Sequence, residues 1–372
     1  MRKVIHIIGA RPNFIKAAPL IKSLNKTDNI ENIVLHTGQH YDKNMSEQFF
    51  VDLNIPKPDI NLGLGGGTHA TQTANIMSGC EKVFSGLKPD IVVVYGDINS
   101  CVAATLVASK MHLEDNDIEK ISVVHIESGL RSYDRTMPEE LNRIVTDSLS
   151  DYLFVTSEDA IDNLKSEGIP EERCFFVGNT MIDSLVEFEN TFDSSDILDR
   201  NDLSAKEYSL ITLHRPFTVD SEERLIELMD TLVELSKDIK CVFPIHPRTR
   251  NSLVKFGLYD KYSNIDNLLL TEPIGYIDFM CLQKNCKFVI TDSGGVQEES
   301  SYFNIPCLTV RDNTERPITI SKGTNKLIGT DYKNILDEVK NIDYNKDSDI
   351  KLWDGNSSTR ITRHIEDLLS EK

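Results

Sequence analysis

Residues 91–111, which read IVVVYGDINSCVAATLVASKM, decide the fold class of this chain. The run 91–94 is apolar at every position, as is typical of a strand in a parallel sheet that helices cover on both faces. Gly96 and Asp97 interrupt the run, and the small and apolar residues that follow predict a helix over 99–111. A buried strand, a polar turn and a helix in this order predict an α/β protein.

The same unit recurs along the chain in two sets. The first set of predicted strands lies at 4–8, 32–36, 91–95, 121–125, 152–155 and 174–177. The second set lies at 208–213, 241–245, 267–270, 288–290 and 307–310. Helical patterns separate the strands, including one over 138–149, so each set predicts a Rossmann-like, doubly wound parallel sheet.

Polar stretches mark the predicted domain boundaries. Residues 193–196 are Asp-Ser-Ser-Asp, and a second polar stretch at 343–358 precedes a final helical pattern. We therefore predict an N-terminal domain over 1–178, to which a C-terminal helix at 357–372 returns, and a second domain over 179–356. Ligands of open parallel sheets bind beyond the carboxyl ends of the strands, so we expect the two domains to face each other across a ligand-binding cleft.

Composition excludes several classes of partner. The 372 residues include 40 basic and 59 acidic side chains, a net charge of −19, so we expect no nucleic-acid or membrane partner. The seven cysteines are odd in number and form no CxxC pair, which argues against disulfides and a metal site and favours the reducing cytoplasm.

Polar residues follow the first predicted strand. Gly9 permits a tight turn into a helix, and Arg11 and Lys16 add positive charge at the start of that helix, where anions bind. An ordinary solvated helix start would have the same pattern. The G-x-G-x-x-G fingerprint of dinucleotide-binding proteins is missing, so we expect no nicotinamide cofactor.

Three carboxylates follow successive strands of the first set. Asp97 comes after strand 91–95, Glu127 after strand 121–125, and Glu139 at the start of the next helix. If they share one site, their repulsion favours a proton on one of them, which suits general acid/base catalysis. A structural role is also open for Glu139, because it has capping-box spacing from Thr136 and i,i+4 spacing to Arg143.

The second set of strands is followed by groups suited to bind an anion. His214 and Arg215 end its first strand and precede a proline. Ser293-Gly294-Gly295 opens a helix, where bare backbone N–H groups and the helix dipole can bind a phosphate. Glu299 lies further along that helix, placed either to bind ribose hydroxyls or simply to face solvent.

Eight ordered motifs resemble one known family, the non-hydrolysing UDP-N-acetylglucosamine 2-epimerases. They are GARPNFIK, YGDINS, HIESGLRS, MPEELNR, VGNTMID, TLHRP, DSGGVQEES and RDNTERP, and the resemblance extends from residue 4 to about 330. The resemblance implies the GT-B fold and the return of the last helix to the N-terminal domain. The chain departs from common family residues at Tyr41-Asp42-Lys43 and at Phe217-Thr218.

The resemblance also implies a reaction and roles for residues. The family interconverts UDP-N-acetylglucosamine and UDP-N-acetylmannosamine without an added cofactor, by eliminating UDP to 2-acetamidoglucal and adding it back. We expect a cytoplasmic homodimer. The implied catalytic residues are Asp97, Glu127, Glu139 and His214, and the implied substrate- and UDP-binding residues are Arg11, Lys16, Arg215, Phe279, Ser293, Gly294, Gly295, Glu299 and Arg316.

Three alternatives remain at this point. A related sugar, such as UDP-2,3-diacetamido-2,3-dideoxyglucuronic acid, is the main rival substrate. A GT-B glycosyltransferase would share the nucleotide site but would need an acceptor pocket. A non-catalytic sensor of nucleotide sugars would not need three acidic residues together.

Overall fold

The computed structural model describes residues 1–39, 57–112 and 120–370. The chain divides into two compact units, Met1–Glu187 with Lys351–Lys372, and Phe188–Ile350. The departure from the family pattern at 41–43 lies outside the described residues.

The first unit alternates strands and helices. Its strands are β1 (Arg2–Ile8), β2 (Ile30–His36), β3 (Ile60–Asn61), β4 (Ile91–Tyr95), β5 (Ser122–Ser128), β6 (Tyr152–Val155) and β7 (Cys174–Phe176). Its helices are α1 (Arg11–Leu24), α2 (His69–Leu87), α3 (Asn99–Met111), α4 (Pro138–Leu149), α5 (Glu158–Ser166) and α6 (Thr180–Asp193), with a 3₁₀ turn at Glu171–Arg173.

All strand pairs of the first sheet are parallel, in the order β3-β2-β1-β4-β5-β6-β7. The order reverses between β1 and β4, which lie side by side although β2 and β3 separate them in sequence. At such a reversal the connections that follow the two strands lead to helices on opposite faces of the sheet, which in folds of this kind leaves a crevice at the carboxyl ends of the strands. The turns after Ile8 and after Tyr95 therefore lie at the binding position of this sheet.

The second unit repeats the architecture. Its strands are β8 (Tyr208–Thr212), β9 (Lys240–Pro244), β10 (Leu268–Thr271), β11 (Phe288–Thr291), β12 (Cys307–Thr309) and β13 (Asn325–Leu327). Its helices are α7 (Ile197–Arg200), α8 (Pro216–Val219), α9 (Glu222–Leu235), α10 (Pro247–Lys255), α11 (Tyr259–Ser263), α12 (Tyr276–Asn285), α13 (Gly294–Tyr302), α14 (Ile318–Ser321) and α15 (Asn334–Lys340).

The second sheet is also parallel, in the order β10-β9-β8-β11-β12-β13. Its order reverses between β8 and β11, as the first does between β1 and β4. Each sheet has its own apolar core, centred in the second unit on Phe243, Phe288 and the strands beside them. The predicted α/β fold with two doubly wound parallel sheets is confirmed.

The structure differs from the sequence prediction at the sheet edges and at one strand end. Strands β3 and β13 were not predicted, because both are short and contain polar residues such as Asn61 and Lys326. Strand β5 runs to Ser128 rather than ending at residue 125, so Glu127 lies inside the strand. The helices at Asn99–Met111 and Pro138–Leu149 have the predicted bounds.

The boundaries between the two units differ from the predicted domain boundaries. Helix α6 begins at Thr180 and continues without a break to Asp193, so the division after Glu187 falls inside a helix rather than before it. The last helix, α16 (Ser357–Ser370), belongs to the first unit and packs against α1. There the Thr362 hydroxyl donates a hydrogen bond to the Ser23 oxygen over 2.7 Å.

The cysteines are free, and six of the seven are buried. Burial raises the pKa of the Cys80 and Cys101 thiols to about 12. These side chains therefore pack as small apolar groups. In the described part of the chain, no helix combines the length and apolar character needed to cross a membrane.

A buried histidine in β1 predicts that acid destabilises the protein. His6 is fully buried, with Nδ1 2.6 Å from the Tyr95 hydroxyl and Nε2 3.1 Å from the Asn32 amide oxygen. Burial lowers the pKa of His6 from 6.5 to about 4. Between these values the unfolded chain binds a proton that the folded chain does not, so the free energy of unfolding falls as pH falls, by up to about 3 kcal/mol.

Urea unfolding at a series of pH values between 7 and 4 checks this prediction. In the His6→Gln variant, the free energy of unfolding should depend less steeply on pH in that window, by the contribution of about one bound proton. The variant should also be less stable overall. An identical slope in both proteins would assign the acid sensitivity to other groups.

Candidate functional site

The first residue cluster lies where the order of the first sheet reverses. Lys16, in the second turn of α1, and Glu127, in β5, are both buried. The Lys16 ammonium forms an ion pair with the Glu127 carboxylate. The structure thus joins a predicted substrate-binding cation to a predicted catalytic carboxylate.

The backbone of Glu127 is in a rare conformation. Its φ is +67°, in the left-handed region, and the pairing of β5 with β6 shifts register between Ile126 and Ser128. A non-glycine residue held there costs about 1–3 kcal/mol, and inside a strand, unlike at a turn or a helix end, such a residue points to a functional constraint. The bulge turns the Glu127 side chain toward Lys16 at the expense of fold stability, which favours a functional role for this carboxylate.

Gly96 explains why the turn after β4 approaches this ion pair. Its φ is +67°, and a Cβ atom there would lie 3.1 Å from Lys16 Nζ and 3.2 Å from Glu127 Oε2. A side chain at this position would push against both charged groups. The glycine therefore lets the backbone just before Asp97 lie against the Lys16–Glu127 pair.

Asp97 is held by helix α4. Its carboxylate forms an ion pair with Arg143, and its carbonyl accepts a 2.8 Å hydrogen bond from Asn142. The N-cap of α3 is Ile98, so Asp97 does not cap that helix. Asp97 and Glu127 each have a cation, Arg143 and Lys16, which offsets the mutual repulsion expected from the sequence.

Glu139 has neither of the structural roles that its spacing suggested. Helix α4 begins after Met137, not after Thr136, and Arg143 pairs with Glu140 and Asp97. The Glu139 side chain lies exposed in the first turn of α4. The predicted capping box and the predicted Glu139–Arg143 pair were therefore wrong, and Glu139 stays a candidate for chemistry.

The neighbouring Glu140, which the sequence analysis did not single out, has the structural role instead. It is buried and accepts hydrogen bonds from the backbone N–H groups of Ser132 and Tyr133 and from Arg143. Several donors and a cation hold the pKa of the Glu140 carboxyl below its usual range, although its burial alone would raise it. Glu139 is exposed, whereas the adjacent Glu140 is buried. The spacing of these residues in the sequence gave no sign of this difference.

Arg11 is the first residue of α1, at the carboxyl end of β1. This position agrees with the predicted helix-start site. Its side chain lies outside what the structure describes.

The second residue cluster lies where the order of the second sheet reverses, at the ends of β8 and β11. The buried Asp292 carboxylate accepts hydrogen bonds from the backbone N–H groups of His214 and Arg215, at 3.0 and 2.8 Å. The His214 Nδ1 atom lies 3.5 Å from the same carboxylate. Asp292 therefore fixes the turn that carries both predicted residues, and both side chains are partly exposed.

Helix α13 begins beside Asp292, with Ser293 as its N-cap and Gly294 as its first residue. The Ser293 N–H donates to the Thr291 hydroxyl, and the side chain of Ser293 makes no cap hydrogen bond. The N–H groups of the first helical residues have no partner within a helix and are available to an anion. The local geometry is the one that the glycine pair predicted.

Arg316 lies against this helix start. A Cβ atom on Gly294 would be 2.4 Å from Arg316 Nη1 and 2.6 Å from Glu315 Oε1. Arg316 in turn pairs with Glu315 over 2.6 Å and with Glu298 over 3.0 Å. The structure therefore brings the predicted UDP-binding residues Gly294 and Arg316 together, and a side chain at position 294 would displace the Arg316 guanidinium.

Arg311 belongs to the same cluster and was not predicted as a binding residue. Its Nη2 pairs with Glu315 over 2.9 Å, while its Nη1 is buried and has no hydrogen-bond partner among the residues that the structure describes. Burial lowers the pKa of Arg311, and Arg215 and Arg316 add repulsion while Glu315 opposes the shift. A buried guanidinium with an unused donor suits an incoming anion.

The remaining predicted residues lie on the two helices nearby. Phe279 is half-buried on α12, and Glu299 is buried in the second turn of α13. Their proposed contacts with uracil and ribose stay predictions.

Two parallel sheets of this topology, each with its polar cluster where the strand order reverses, define a GT-B-type α/β enzyme. A family model described as UDP-N-acetylglucosamine 2-epimerase matches residues 22–366. The chain belongs to this family, which confirms the resemblance seen in its motifs.

Individual relatives are similar over nearly their whole length. The UDP-N-acetylglucosamine 2-epimerase of Methanocaldococcus jannaschii is 43% identical, over 97% of this chain and 98% of the relative. The UDP-2,3-diacetamido-2,3-dideoxy-D-glucuronate 2-epimerase of Pseudomonas aeruginosa is 39% identical, over 98% of this chain and 99% of the relative. A crystal structure of the M. jannaschii enzyme with UDP-GlcNAc and UDP matches with a TM-score of 0.87, covering 98% of this chain and 99% of that one.

Proposed function

We propose that this enzyme interconverts UDP-N-acetylglucosamine and UDP-N-acetylmannosamine by epimerisation at carbon 2. In the proposed reaction, UDP is eliminated to leave 2-acetamidoglucal and is then added back after a proton reaches the opposite face of carbon 2. The observation that supports the proposal is the strained, buried Glu127 beside Lys16 and the Asp97 turn, because these candidate acid/base groups lie near the reversal of strand order, where sheets of this kind bind ligands.

The carboxylates of the first unit supply the proton transfers in this proposal. Carbon 2 of the sugar has no neighbouring carbonyl at carbon 1, so its proton is only weakly acidic. One general base gives a rate gain of about 10²–10⁴, or roughly 3–5 kcal/mol, which is too little for the whole reaction. Asp97, Glu127 and Glu139 are the proposed acid/base groups, with Lys16 and Arg143 as their neighbouring cations.

The second unit supplies the rest by stabilising the departing diphosphate. Each well-placed donor is worth about 3–4 kcal/mol at a developing negative charge, by analogy with oxyanion holes. The proposed donors are the amides at the start of α13 and the side chains of His214, Arg215, Arg311 and Arg316. Arg11 is proposed as a further cation for the diphosphate, on its position at the start of α1.

The 39% identical P. aeruginosa relative favours one second candidate substrate. A UDP-2,3-diacetamido-2,3-dideoxy-glucuronic acid would undergo the same chemistry at carbon 2. It differs by a carboxylate at carbon 6 and an amide at carbon 3. Turnover of both sugars, measured side by side, decides between the two.

Deuterium incorporation tests the reaction type. When UDP-N-acetylglucosamine is incubated with the enzyme in deuterated water without added NAD, proton NMR should show UDP-N-acetylmannosamine forming. Both the product and the recovered substrate should carry deuterium at carbon 2, because the proton removed exchanges with solvent.

Two other results would contradict this proposal. Retention of the original hydrogen at carbon 2 would rule out elimination through a base and point to transient oxidation. Transfer of the sugar to an acceptor without epimerisation would identify a glycosyltransferase.

We infer further that the enzyme is a cytoplasmic homodimer. The support for the homodimer is helix α4, whose buried face is polar and includes Glu140, Arg143 and Asp147, while Leu141 and Val145 are exposed. Leu141 also lines an apolar groove of about 460 Å³ beside α2 and α3. An outward apolar face of this kind is suited to a second copy of the chain. The free thiols support the reducing compartment.

A further inference from the structure

A chain of four charged or polar side chains, of which the first three are buried, runs behind the first residue cluster. His125 of β5 contacts Asp147 of α4, Asp147 contacts Arg131, and Arg131 contacts Glu167. His125 and Asp147 are completely buried, and Arg131 is nearly so. None of these four residues is among the proposed catalytic or binding groups.

Both ring nitrogens of His125 lie against oxygen acceptors. Nδ1 is 2.6 Å from Asp147 Oδ1, and Nε2 is 2.8 Å from the carbonyl oxygen of Gly96. A backbone carbonyl can only accept a hydrogen bond, so Nε2 carries a proton. Whether Nδ1 also carries one depends on the charge of Asp147.

The surroundings of Asp147 keep it ionised. Its second oxygen, Oδ2, accepts a hydrogen bond from the Gly129 N–H at 3.1 Å and pairs with Arg131 at 2.7 Å. These two donors to Oδ2, one of them a guanidinium, favour the charged carboxylate, although its burial opposes the charge. An ionised Asp147 only accepts hydrogen bonds, so Nδ1 of His125 must be the donor.

We infer that His125 is a buried imidazolium that fixes the turn carrying Asp97 against the strand carrying Glu127, and so acts as a positioning residue for the proposed reaction. The charges in the chain alternate, as positive His125, negative Asp147, positive Arg131 and negative Glu167. The Asp147 carboxylate, buried directly beside His125, therefore compensates the imidazolium where an isolated buried charge would be costly.

The connection to the proposed acid/base groups is short. Gly96 directly precedes Asp97, and its carbonyl receives a charge-assisted hydrogen bond from His125, which is stronger than a neutral one. The Gly96 N–H donates in the other direction, to the Ile126 carbonyl of β5 at 3.0 Å. The turn before Asp97 is thus bound twice to the strand that carries Glu127.

Two measurements test this inference, which rests on the proposed function only for the second of them. The first is ¹⁵N NMR of the native enzyme with labelled histidine, with the His125 signals identified by their absence in His125→Gln. An imidazolium gives two ring-nitrogen signals close together, whereas a neutral ring gives two that are far apart. We expect the close pair at neutral pH, and a widely separated pair would overturn the inference.

The second measurement is turnover of His125→Gln. Glutamine has no charged donor for the Asp147 carboxylate or for the Gly96 carbonyl. We therefore expect the turn before Asp97 to be held less firmly. Misplacing a catalytic group by about 1 Å costs about 10²-fold in rate. We expect kcat to fall about 100-fold while the Kd for UDP, proposed to bind through the second unit, stays within about twofold.

The matched control is His364→Gln, which removes another histidine of the same unit. His364 packs on Phe175, with ring centroids 4.7 Å apart, and is remote in sequence from the Asp97 turn. If His125→Gln does not fold, Asp147→Asn takes its place, because it removes the counter-charge and should separate the two His125 nitrogen signals.

The outcomes distinguish this inference from the proposed function. If the native enzyme does not epimerise UDP-N-acetylglucosamine, the proposed function fails, and the NMR signals still decide the charge of His125. If Glu139→Gln loses turnover but His125→Gln stays within about threefold of the native enzyme, the positioning role is wrong and the proposed function stands.

Discussion

Replacing Glu139 with glutamine should lower turnover at least about 100-fold while leaving UDP affinity unchanged and lowering the melting temperature only as much as the loss of one charge near a helix N-terminus does. The structure makes this the cleanest of the carboxylate tests. Glu139 is exposed in the first turn of α4, and the helix starts after Met137, without the capping box that the sequence suggested. Glutamine keeps the shape and one oxygen, so a loss of rate reports the loss of a proton-transfer group. Steady-state kinetics, calorimetric UDP titration and thermal unfolding measure these three quantities.

The control for this variant is Glu222→Gln. Glu222 is likewise an exposed glutamate in the first turn of a helix, α9, so it matches the loss of one charge near a helix N-terminus. That loss costs about 0.3–1 kcal/mol in stability. Near-normal turnover in Glu139→Gln would remove Glu139 from the proposed catalytic set.

Variants of the other two carboxylates should lose turnover to the same extent, but they differ in stability. Glu127→Gln leaves the buried Lys16 charge without its partner, which costs about 3–5 kcal/mol. Asp97→Asn is milder, because Arg143 keeps its ion pair with Glu140. A lower melting temperature is therefore expected for Glu127→Gln, and its rate must be measured on protein shown to be folded.

The Gly294→Val variant should weaken UDP binding about 100-fold. The added side chain obstructs the first amides of α13 and also displaces the neighbouring guanidinium, since a Cβ there lies 2.4 Å from Arg316 Nη1. Losing one or two hydrogen bonds to a charged group costs about 1.5–3 kcal/mol each, which accounts for an effect of this size. Isothermal titration with UDP alone measures it, independently of any chemistry at carbon 2.

A matched control is Gly86→Val in α2. A Cβ atom at Gly86 meets nothing within 4 Å, so the same substitution there adds bulk in open space. UDP affinity should then equal that of the unchanged protein. Native UDP affinity in a folded Gly294→Val variant would show that the diphosphate does not bind at this helix start.

The fold could be predicted from the sequence because its signal is local. A strand such as β4, apolar at every position, has no polar face to give to solvent, and this alone indicates a parallel sheet between two helical layers. The edge strands β3 and β13 gave no such signal, because they are short and only partly buried. The division of the chain within α6 also could not be read from composition, since it depends on long-range packing and not on a polar stretch.

The candidate site was predictable in part. Strand-end positions and motifs identified Lys16, Asp97, Glu127 and the glycine pair at 294–295, since parallel strands bring their carboxyl ends to one edge of the sheet. The partners of these residues were not predictable. Arg143 was expected beside Glu139, yet it lies between Glu140 and Asp97.

By itself, then, the sequence determined two doubly wound parallel sheets, the family, and the strand ends at which the chemistry is expected. Only the tertiary structure decided which charges meet: Lys16 with Glu127, Arg143 with Asp97, and a histidine enclosed between Asp147 and the Gly96 carbonyl. The reason is physical. Hydrophobic periodicity is set by neighbours three or four residues apart, whereas the partner of a buried charge comes from a distant segment and depends on distances of a few ångströms.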